Sequence, residues 1–235
     1  MFNLSVCIIF DKANAKSLVA CQESLPAGVE ICSVQCEESA GRVPSFRVVR
    51  EESFENGTVV RQGVWNFPRG GFRFDTARNL SLRLARREWI LILDDDERLV
   101  SHQWRDWAQA TEELGPDVGG ATVGVWGSVN NGTGFERHNG SQIRLIRNHA
   151  GIYFKKRIHE FFGLRDVIAD LGMIVTDTTL GIHHVGYEIP ASGLLRKVRR
   201  NLRLSYQELS ANPDQSDIEL KLFETLQYQE QLKRV

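Results

Sequence analysis

The segment from residue 89 to residue 97 limits the possible folds of this chain more than any other. Trp89–Leu93 reads WILIL, an uninterrupted apolar run, and Asp94-Asp95-Asp96-Glu97 follows at once. A short apolar run of this kind is typical of a strand buried on both faces, as in a parallel sheet covered by helices. Because ligands of open α/β sheets bind beyond the carboxyl ends of the strands, the sequence predicts acidic side chains at a ligand-binding edge.

The rest of the chain extends this strand into an α/β pattern. Strands and helices alternate in the first half, which favours a mainly parallel, Rossmann-like sheet with flanking helices. Residues 51–73 show no period and are predicted to be a loop with at most one short strand. Asp75 is predicted to cap a helix that runs to about Arg87, and a pair of helices broken at Asn212-Pro213-Asp214 is predicted from about residue 192. The other predicted elements are strands at 4–10, 29–35, 46–50, 121–127, 142–147 and 173–185, and helices that end near 24 and 114.

Length and composition narrow the class of protein. The 235 residues fit one domain with a small appendage, and we predict a division into 1–190 and 191–235. The net charge of −1 gives no global positive field that would attract nucleic acid or anionic membranes. No stretch approaches the roughly 18 apolar residues of a membrane helix, and the first residues lack signal-peptide features. All four cysteines lie in the first 36 residues without zinc-like spacing, so we expect reduced thiols and a cytoplasmic location.

The acidic cluster after the WILIL strand suggests a cation site. Side chains alternate along a strand, so Asp94 and Asp96 share a direction while Asp95 points elsewhere. Two neighbouring carboxylates repel each other unless a cation or a proton lies between them. Mg²⁺ or Mn²⁺, held by one or two carboxylates and by substrate phosphates, suits this arrangement. The alternative is a solvated acidic turn that ends the strand.

Three further polar clusters are candidates for chemistry. Arg78, in the first turn of the predicted helix, could bind a phosphate at the helix N-terminus. The segment Arg157-Ile158-His159-Glu160 could supply a general base for an attacking hydroxyl. His183 and His184 face opposite ways on a strand, so at most one of them would be a ligand. The alternatives are a capped helix with a solvated arginine, a surface ion pair and a histidine packed in the core.

Together these clusters resemble the signature of family-2 glycosyltransferases. Residues 74–98 read FDTARNLSLRLARREWILILDDDER, which is similar to the family pattern DF-x-x-ARN-x-x-L-x-x-A-x-x-x-W-I-L-x-LDADE. The later motifs follow in the family's order at Arg144–Asn148, Gly151–Phe154, Arg157–Glu160, His183–Tyr187 and Lys197–Asn201. The resemblance covers about residues 4 to 225. It implies a GT-A-type fold and an inverting transfer of a sugar from a nucleotide-diphosphate sugar, with help from Mn²⁺ or Mg²⁺.

The resemblance also implies roles for particular residues. Asp94 and Asp96 match the family's Asp-x-Asp motif, with Asp96 as the metal ligand and Asp94 nearer the ribose or the donor sugar. His184 matches a late histidine that approaches the metal or the diphosphate. Arg78 and Asn79 match positions near the nucleotide.

The catalytic base and the nucleoside end of the site are less regular. Glu160 is the implied general base, with His159 as its rival. Gln35 stands where the family has an aspartate after the second strand, and it could hydrogen-bond a uracil edge. Asp11, which opens an altered turn after the first strand, is placed with the donor-binding residues. A UDP-sugar is the expected donor.

The acceptor and two other functions stay open at this level. A glycan, lipid, protein or modified nucleic acid could accept the sugar, and the basic run from Arg196 to Arg203 could steer an anionic group. The altered second-strand loop would also suit a non-catalytic nucleotide- or sugar-binding relative. A nucleotidyltransferase likewise pairs carboxylates with a metal on an α/β sheet, but it usually has a Gly-rich phosphate loop, which is missing after Phe10.

Overall fold

A computed structural model describes residues 3–99, 104–130, 135–186 and 191–233, and within them nine strands form one continuous sheet. The strands are β1 Leu4–Asp11, β2 Glu30–Ser39, β3 Ser45–Ser53, β4 Val59–Pro68, β5 Trp89–Asp94, β6 Glu97–Leu99, β7 Val118–Asn130, β8 Phe135–Arg147 and β9 Ile174–His184. The helices are α1 Ala15–Glu23, α2 Phe74–Leu82, α3 Trp104–Glu113, α4 Leu164–Asp170, α5 Ala191–Ala211 and α6 Ser216–Lys233, with 3₁₀ turns at Lys12–Asn14 and Glu160–Gly163.

The strand order explains where a ligand can bind. The strands lie in the order β3-β4-β2-β1-β5-β8-β7-β9-β6. Strands β4, β2, β1 and β5 are parallel, so the chain winds outward from β1 in both directions. Strand β8 is antiparallel to β5, and β7, β9 and β6 complete a mixed second half. The reversal of strand order beside β1 opens a crevice at the carboxyl ends of β1 and β5.

Strand β5 lies at the centre of the core, as its sequence predicts. Each residue from Trp89 to Leu93 exposes 1% of its surface or less. Leu91 and Leu93 belong to the apolar cluster on one face of the sheet, and Ile90 and Ile92 to the cluster on the other. Full burial of such a side chain contributes about 1.5–3 kcal/mol. The strand is therefore fixed from both faces, and so is the start of the acidic turn that follows it.

Strand β4 is longer than the one short strand that the sequence allowed within the predicted loop over residues 51–73. Val59–Pro68 is a ten-residue strand that pairs with β2 and β3. Gly63 interrupts its apolar pattern, but a Cβ at this position would overlap the ring of Phe46 on β3. The close approach of the neighbouring strand therefore requires the glycine that hid the strand in the sequence. Strand β3 is antiparallel to β4 and forms one edge of the sheet.

The two ends of α2 also differ from the prediction. Arg73, rather than Asp75, is the N-cap residue, and Asp75 lies in the first turn. The Asp75 carboxylate accepts the Thr76 N–H at 2.7 Å and pairs with Arg73 at 2.7 Å. The helix ends at Leu82 instead of near Arg87, because the amides of Leu84 and Ala85 donate to carbonyls three residues earlier.

The C-terminal helices pack on each other and on the sheet domain. Leu194, Val198 and Leu202 of α5 form an apolar cluster with residues of α6. The buried Glu208 of α5 accepts the backbone N–H of Arg157 at 3.1 Å. The proposed boundary at residue 190 stays a prediction. Among the helices of the described residues, none has the length and apolar character needed to span a membrane.

Candidate active site

A cavity of about 320 Å³ lies in the crevice at the carboxyl ends of the parallel strands. Strands β1, β2 and β5 reach it with their last residues, and α5 covers one side. Of the residues selected from the sequence, Asp11, Asp94, Asp96 and His184 line this cavity. Its other lining residues are Ile9, Phe10, Asn14, Cys36, Glu38, Phe67, Phe72, Phe74, Asp95, Lys197, Arg200, Asn201 and Arg203.

Asp96 lies between Lys197 and His184 at one end of the cavity. Its Oδ2 is 2.7 Å from Lys197 Nζ, and its Oδ1 is 3.3 Å from His184 Nε2. Burial opposes ionisation, but the hydrogen bond and charge of His184, together with Lys197, hold the pKa of Asp96 well below its usual range. Burial alone would lower the pKa of His184, but the hydrogen bond to Asp96 and the charges of Asp96, Glu97 and Asp94 together raise that pKa.

Gly186 allows the chain to approach Asp96 closely. A Cβ at this position would overlap the Asp96 carboxylate. The Gly186 carbonyl oxygen also accepts a hydrogen bond from Lys197 Nζ at 2.9 Å. The glycine of the His-His-x-Gly motif is therefore required sterically, because a larger residue would displace the Asp96 carboxylate.

Asp94 is held by two arginines. Buried Arg78 pairs with one of its oxygens and donates to the Leu93 carbonyl at 2.8 Å, and Arg144 lies 3.5 Å from the other oxygen. Burial alone would raise the pKa of Asp94, but Arg78 and Arg144 outweigh it and lower the pKa to about 2. Glu97, also buried, accepts the Asp94 N–H at 2.7 Å and pairs with Arg144 at 2.8 Å. These contacts fix the acidic turn in one conformation.

Asp95 is a cavity residue that the sequence did not identify. Strand alternation would direct it away from its two neighbours, but Asp95 lies in the turn after β5, and there it lines the cavity. It is 8% exposed, and its Oδ2 has no hydrogen-bond partner among the described residues. Burial, together with the charges of Asp96 and Asp94, raises the pKa of Asp95 to about 7.

Three of the expected donor-binding residues do not line the cavity. Gln35 donates to Glu37, on the face of β2 opposite to Cys36 and Glu38. Asn79 exchanges two hydrogen bonds of 2.9 Å with the backbone of Phe154 and so ties α2 to the later loop. Arg78 is 1% exposed and directs its guanidinium group at protein atoms.

Neither of the two candidate bases lines the cavity. Glu160 is 5% exposed and lies 3.2 Å from Arg78 Nε, and burial raises its pKa. His159 adopts the left-handed conformation, with φ of 55°, just before the 3₁₀ turn. Burial, with a contribution from Lys221, lowers the pKa of His159 to about 4.

The opposite part of the cavity is aromatic and basic. Phe72 packs edge-on against Phe74 and Phe67, with ring centroids 4.8 and 5.4 Å apart. Arg200 lies over the Phe74 ring at 5.3 Å. Together with Lys197 and Arg203, it forms the basic strip of α5, which lines the cavity. The spacing of three residues puts this strip on one helix face, a signal that the sequence carried.

The cavity thus joins three kinds of surface. An acidic end contains Asp94, Asp96 and His184, an aromatic wall contains three phenylalanines, and the basic strip of α5 closes the side. Among the described residues, no three His, Cys, Asp or Glu side chains form a metal-binding group by themselves. The whole is a polar, partly apolar pocket of the size that small ligands occupy.

Comparison with known proteins identifies the fold. No protein-family model matches the sequence, and no curated protein matches it. Among solved structures, S. aureus TarS 1-349 has a TM-score of 0.51 and 13% identity over 97% of this chain and 70% of that one. The mannosyltransferase PcManGT from Pyrobaculum calidifontis, solved with GDP-Man and Mn²⁺, has a TM-score of 0.51 and 11% identity over 99% and 73% of the two chains. The predicted α/β fold class, GT-A-like with flanking helices, is confirmed.

Proposed function

We propose that this chain is a glycosyltransferase that moves a sugar from a nucleoside diphosphate sugar to an acceptor hydroxyl. The observation that carries the proposal is the combination, in one cavity, of two ionised carboxylates, a histidine and a strip of cations. The cavity lies where open α/β sheets bind nucleotides. The shared fold with a mannosyltransferase that was solved with a sugar nucleotide supports the same conclusion.

The donor fits the cavity in a definite direction. The aromatic wall offers ring faces to a nucleobase, and the basic strip of α5 offers three cations to a diphosphate. Asp94 can accept hydrogen bonds from the ribose or the donor sugar. Glu38, exposed at the aromatic end, replaces Gln35 as the residue that can accept an N–H from the base. A UDP-sugar is the expected sugar donor. A GDP-sugar is equally compatible, because guanine can also donate an N–H hydrogen bond to Glu38.

The acidic end fits Mn²⁺ or Mg²⁺. The ionised oxygens of Asp96 and the imidazole of His184 lie together, and these are donor types that such ions accept. We propose Asp96 and His184 as the protein's ligands, with diphosphate oxygens as further ligands. When bound, the metal would neutralise charge that develops on the leaving diphosphate. Lys197, which pairs with Asp96, supplies a second positive charge at the same end.

The transfer itself is a substitution at the sugar's anomeric carbon. A bond from the acceptor oxygen to this carbon forms, the bond to the diphosphate oxygen breaks, and the acceptor's proton passes to a base. We propose inversion, with Glu160 as the base and His159 as its rival. Because burial raises the pKa of Glu160, its carboxylate is suited to accept a proton. The direct role requires the Arg78–Glu160 pair to open toward the cavity.

The position of the candidate bases also favours a second function. Neither Glu160 nor His159 lines the cavity, and Gln35 stands where the resemblance implied an aspartate. A protein that binds a nucleotide sugar without transferring it would keep the cavity and need no accessible base. This alternative differs from the first in one measurable respect, the release of nucleoside diphosphate from the donor.

The decisive experiment measures binding and turnover in the same samples. Thermal unfolding is recorded with UDP, GDP, ADP and CDP and their sugar forms, with and without Mn²⁺. A ligand at 100 times its Kd adds about 2.7 kcal/mol to the free energy of unfolding. We expect a Mn²⁺-dependent shift with UDP or GDP, and release of the nucleoside diphosphate from the matching sugar nucleotide. A shift without release would favour the binding protein, and no shift with any nucleotide would refute both functions.

Asp96→Asn tests the acidic end against a matched control. We expect this variant to lose the Mn²⁺-dependent part of the shift, because its amide cannot replace the charge of the carboxylate. Asp170→Asn removes an exposed carboxylate at the end of α4 and should leave the shift unchanged. Equal shifts in the two variants would refute the metal assignment.

A further inference from the structure

A groove of about 810 Å³ runs beside the cavity, along α5. Gly70 and Gly71, in the loop after β4, form part of its wall, and Arg157 and one face of α5 complete it. Arg203 lines both the cavity and this groove. The two spaces are therefore neighbours, and a molecule in the groove lies next to the basic strip of α5.

The lining of the groove is positively charged. Arg157 and Arg203 line it, and none of its lining residues is acidic. Arg157 Nη1 donates to two neutral oxygens, the Phe72 carbonyl and Gln207 Oε1, both at 3.2 Å. Its Nε is buried and has no hydrogen-bond partner among the described residues. A guanidinium group in this state favours an anion that can reach its remaining donors.

The pKa of Arg157 agrees with this reading. Burial lowers it first, and the nearby Arg73 lowers it further, whereas Glu208 and Asp75 only partly oppose these effects. The protein thus leaves the charge of Arg157 incompletely compensated. An anionic ligand would restore the balance.

The other groups in the groove suit a molecule with hydroxyls. Tyr206 is 52% exposed and lines the groove. Gln207 and Ser210 add hydrogen-bonding side chains one turn apart or less. Gly71 lacks a side chain because a Cβ there would meet Pro68, and the loop therefore presents its backbone. An aromatic face beside polar groups is typical of a site for a ligand with apolar and hydroxyl surfaces.

We propose that this groove binds the acceptor and that the acceptor is an anionic sugar, with a phosphate or a carboxylate held by Arg157 and Arg203 and the sugar ring against Tyr206. The inference rests on the proposed function, because it takes the neighbouring cavity as the donor site. It adds the chemical class of the acceptor, which the donor cavity does not define.

The test uses sugar probes and two tyrosine variants of the full chain. Glucose 6-phosphate, glucuronate and glucose are titrated by NMR with the wild type, with Tyr206→Ala and with Tyr153→Ala. Tyr153 is a matched control, since it is 46% exposed and lines neither space. We expect at least one anionic sugar to bind about tenfold more tightly than glucose, a difference of about 1.4 kcal/mol. Tyr206→Ala should remove most of this binding, and Tyr153→Ala should not change it.

The outcomes separate this inference from the proposed function. Preference for glucose 6-phosphate or for glucuronate identifies the anionic group, and either result supports the proposal. Equal affinity for glucose, no binding of either anionic sugar, or equal losses in the two tyrosine variants would overturn it. The shifts in thermal unfolding caused by nucleotides are measured in the same samples. They report on the cavity separately, because Tyr206 does not line it. If these shifts persist while the sugar results fail, only the acceptor assignment falls, whereas loss of the wild-type shifts refutes the donor site.

Discussion

Two neighbouring glutamates on β2 allow a test of which face of the strand contributes to nucleotide binding. Glu38 lines the cavity, whereas Glu37 accepts a hydrogen bond from Gln35 on the other face. Uracil and guanine each carry an imino N–H group, from which a carboxylate can accept a hydrogen bond. Adenine and cytosine have no imino N–H group. A hydrogen bond to a charged group contributes about 1.5–3 kcal/mol. We therefore expect Glu38→Gln to weaken binding of UDP or GDP about tenfold, with Glu37→Gln unchanged, as measured by calorimetry.

The outcome at Glu38 is informative in both directions. Equal effects of the two substitutions would mean that the base does not reach β2. Binding of UDP and GDP that Glu38→Gln does not weaken would contradict the assigned role of the Glu38 carboxylate. Neither result would depend on whether the protein transfers a sugar.

Glu160 offers a kinetic test at a single residue. If its carboxylate accepts the acceptor's proton, Glu160→Gln should lower kcat by about 100-fold or more and leave the Kd of the donor nearly unchanged. The amide keeps the size of the side chain and can still accept from Arg78 Nε, the contact now at 3.2 Å. Weaker donor binding with an unchanged kcat would instead assign Glu160 to the positioning of Arg78 and Asp94. Steady-state kinetics and nucleotide titrations distinguish these results.

At the scale of elements, the sequence was informative where the apolar period was unbroken. It predicted β1 and β5, and with them the edge that carries Asp94 and Asp96. It failed at β4, because the glycine at position 63 is required by the close approach of Phe46, a residue on another strand. The sequence also did not predict which face of β2 lines the cavity. Gln35 stands at the position of the family's aspartate, but the β2 side chains that line the cavity are Cys36 and Glu38.

The missed residues share a physical cause. Asp95 enters the cavity because the chain leaves the strand geometry at the acidic turn, so alternation no longer predicts its direction. Phe67 lies near the end of β4 and Phe72 in the loop that follows, so the path of this loop brings the two rings together. The conformation of a turn or a loop decides these features, and an apolar period along the sequence does not predict it.

The junction before the 3₁₀ turn makes a prediction about acid stability. His159 is buried there, and Lys221, Asp217 and Glu224 of α6 and the adjacent Lys156 act on its charge. Its pKa is about 4 in the folded protein and 6.5 as the ordinary value. Between these two pH values the unfolded chain therefore binds more protons at this histidine than the folded protein does. Acid consequently stabilises the unfolded chain, and the free energy of unfolding decreases as the pH falls from 6.5 to 4. The loss from this group is at most about 3 kcal/mol.

Replacement of His159 isolates this effect. Asparagine tolerates the left-handed conformation with φ of 55° and does not titrate. We expect His159→Asn to flatten the decline in the free energy of unfolding between pH 6.5 and pH 4, measured by urea titration at each pH. His149→Asn, at an exposed histidine in the turn after β8, serves as the control and should keep the wild-type slope. An unchanged slope in His159→Asn would show that this histidine is accessible to protons in the folded state.

At the scale of the whole molecule, the C-terminal helices complete the site. Lys197, Arg200 and Arg203 reach the cavity from α5, and Glu208 accepts the N–H of Arg157. Lys156 pairs with Asp217 of α6. The helices thus contribute to the lining of the cavity as well as to packing. A boundary at residue 190 would then mark a change in architecture without marking an independent folding unit.

Unfolding of the intact chain tests this view, because two optical signals come from different parts of it. All five tryptophans precede residue 191, so their fluorescence reports on the sheet domain. The two longest helices are α5, with 21 residues, and α6, with 18, so circular dichroism at the helix band weights the C-terminal part. We expect the two urea transitions to coincide, as they do for a single cooperative unit. If the dichroism is lost at a lower urea concentration than the fluorescence, α5 and α6 unfold separately, and residues 191–235 are an appendage that can leave the site while the sheet stays folded. In that case the nucleotide should bind in proportion to the helical signal, since three of the cations in the cavity come from α5.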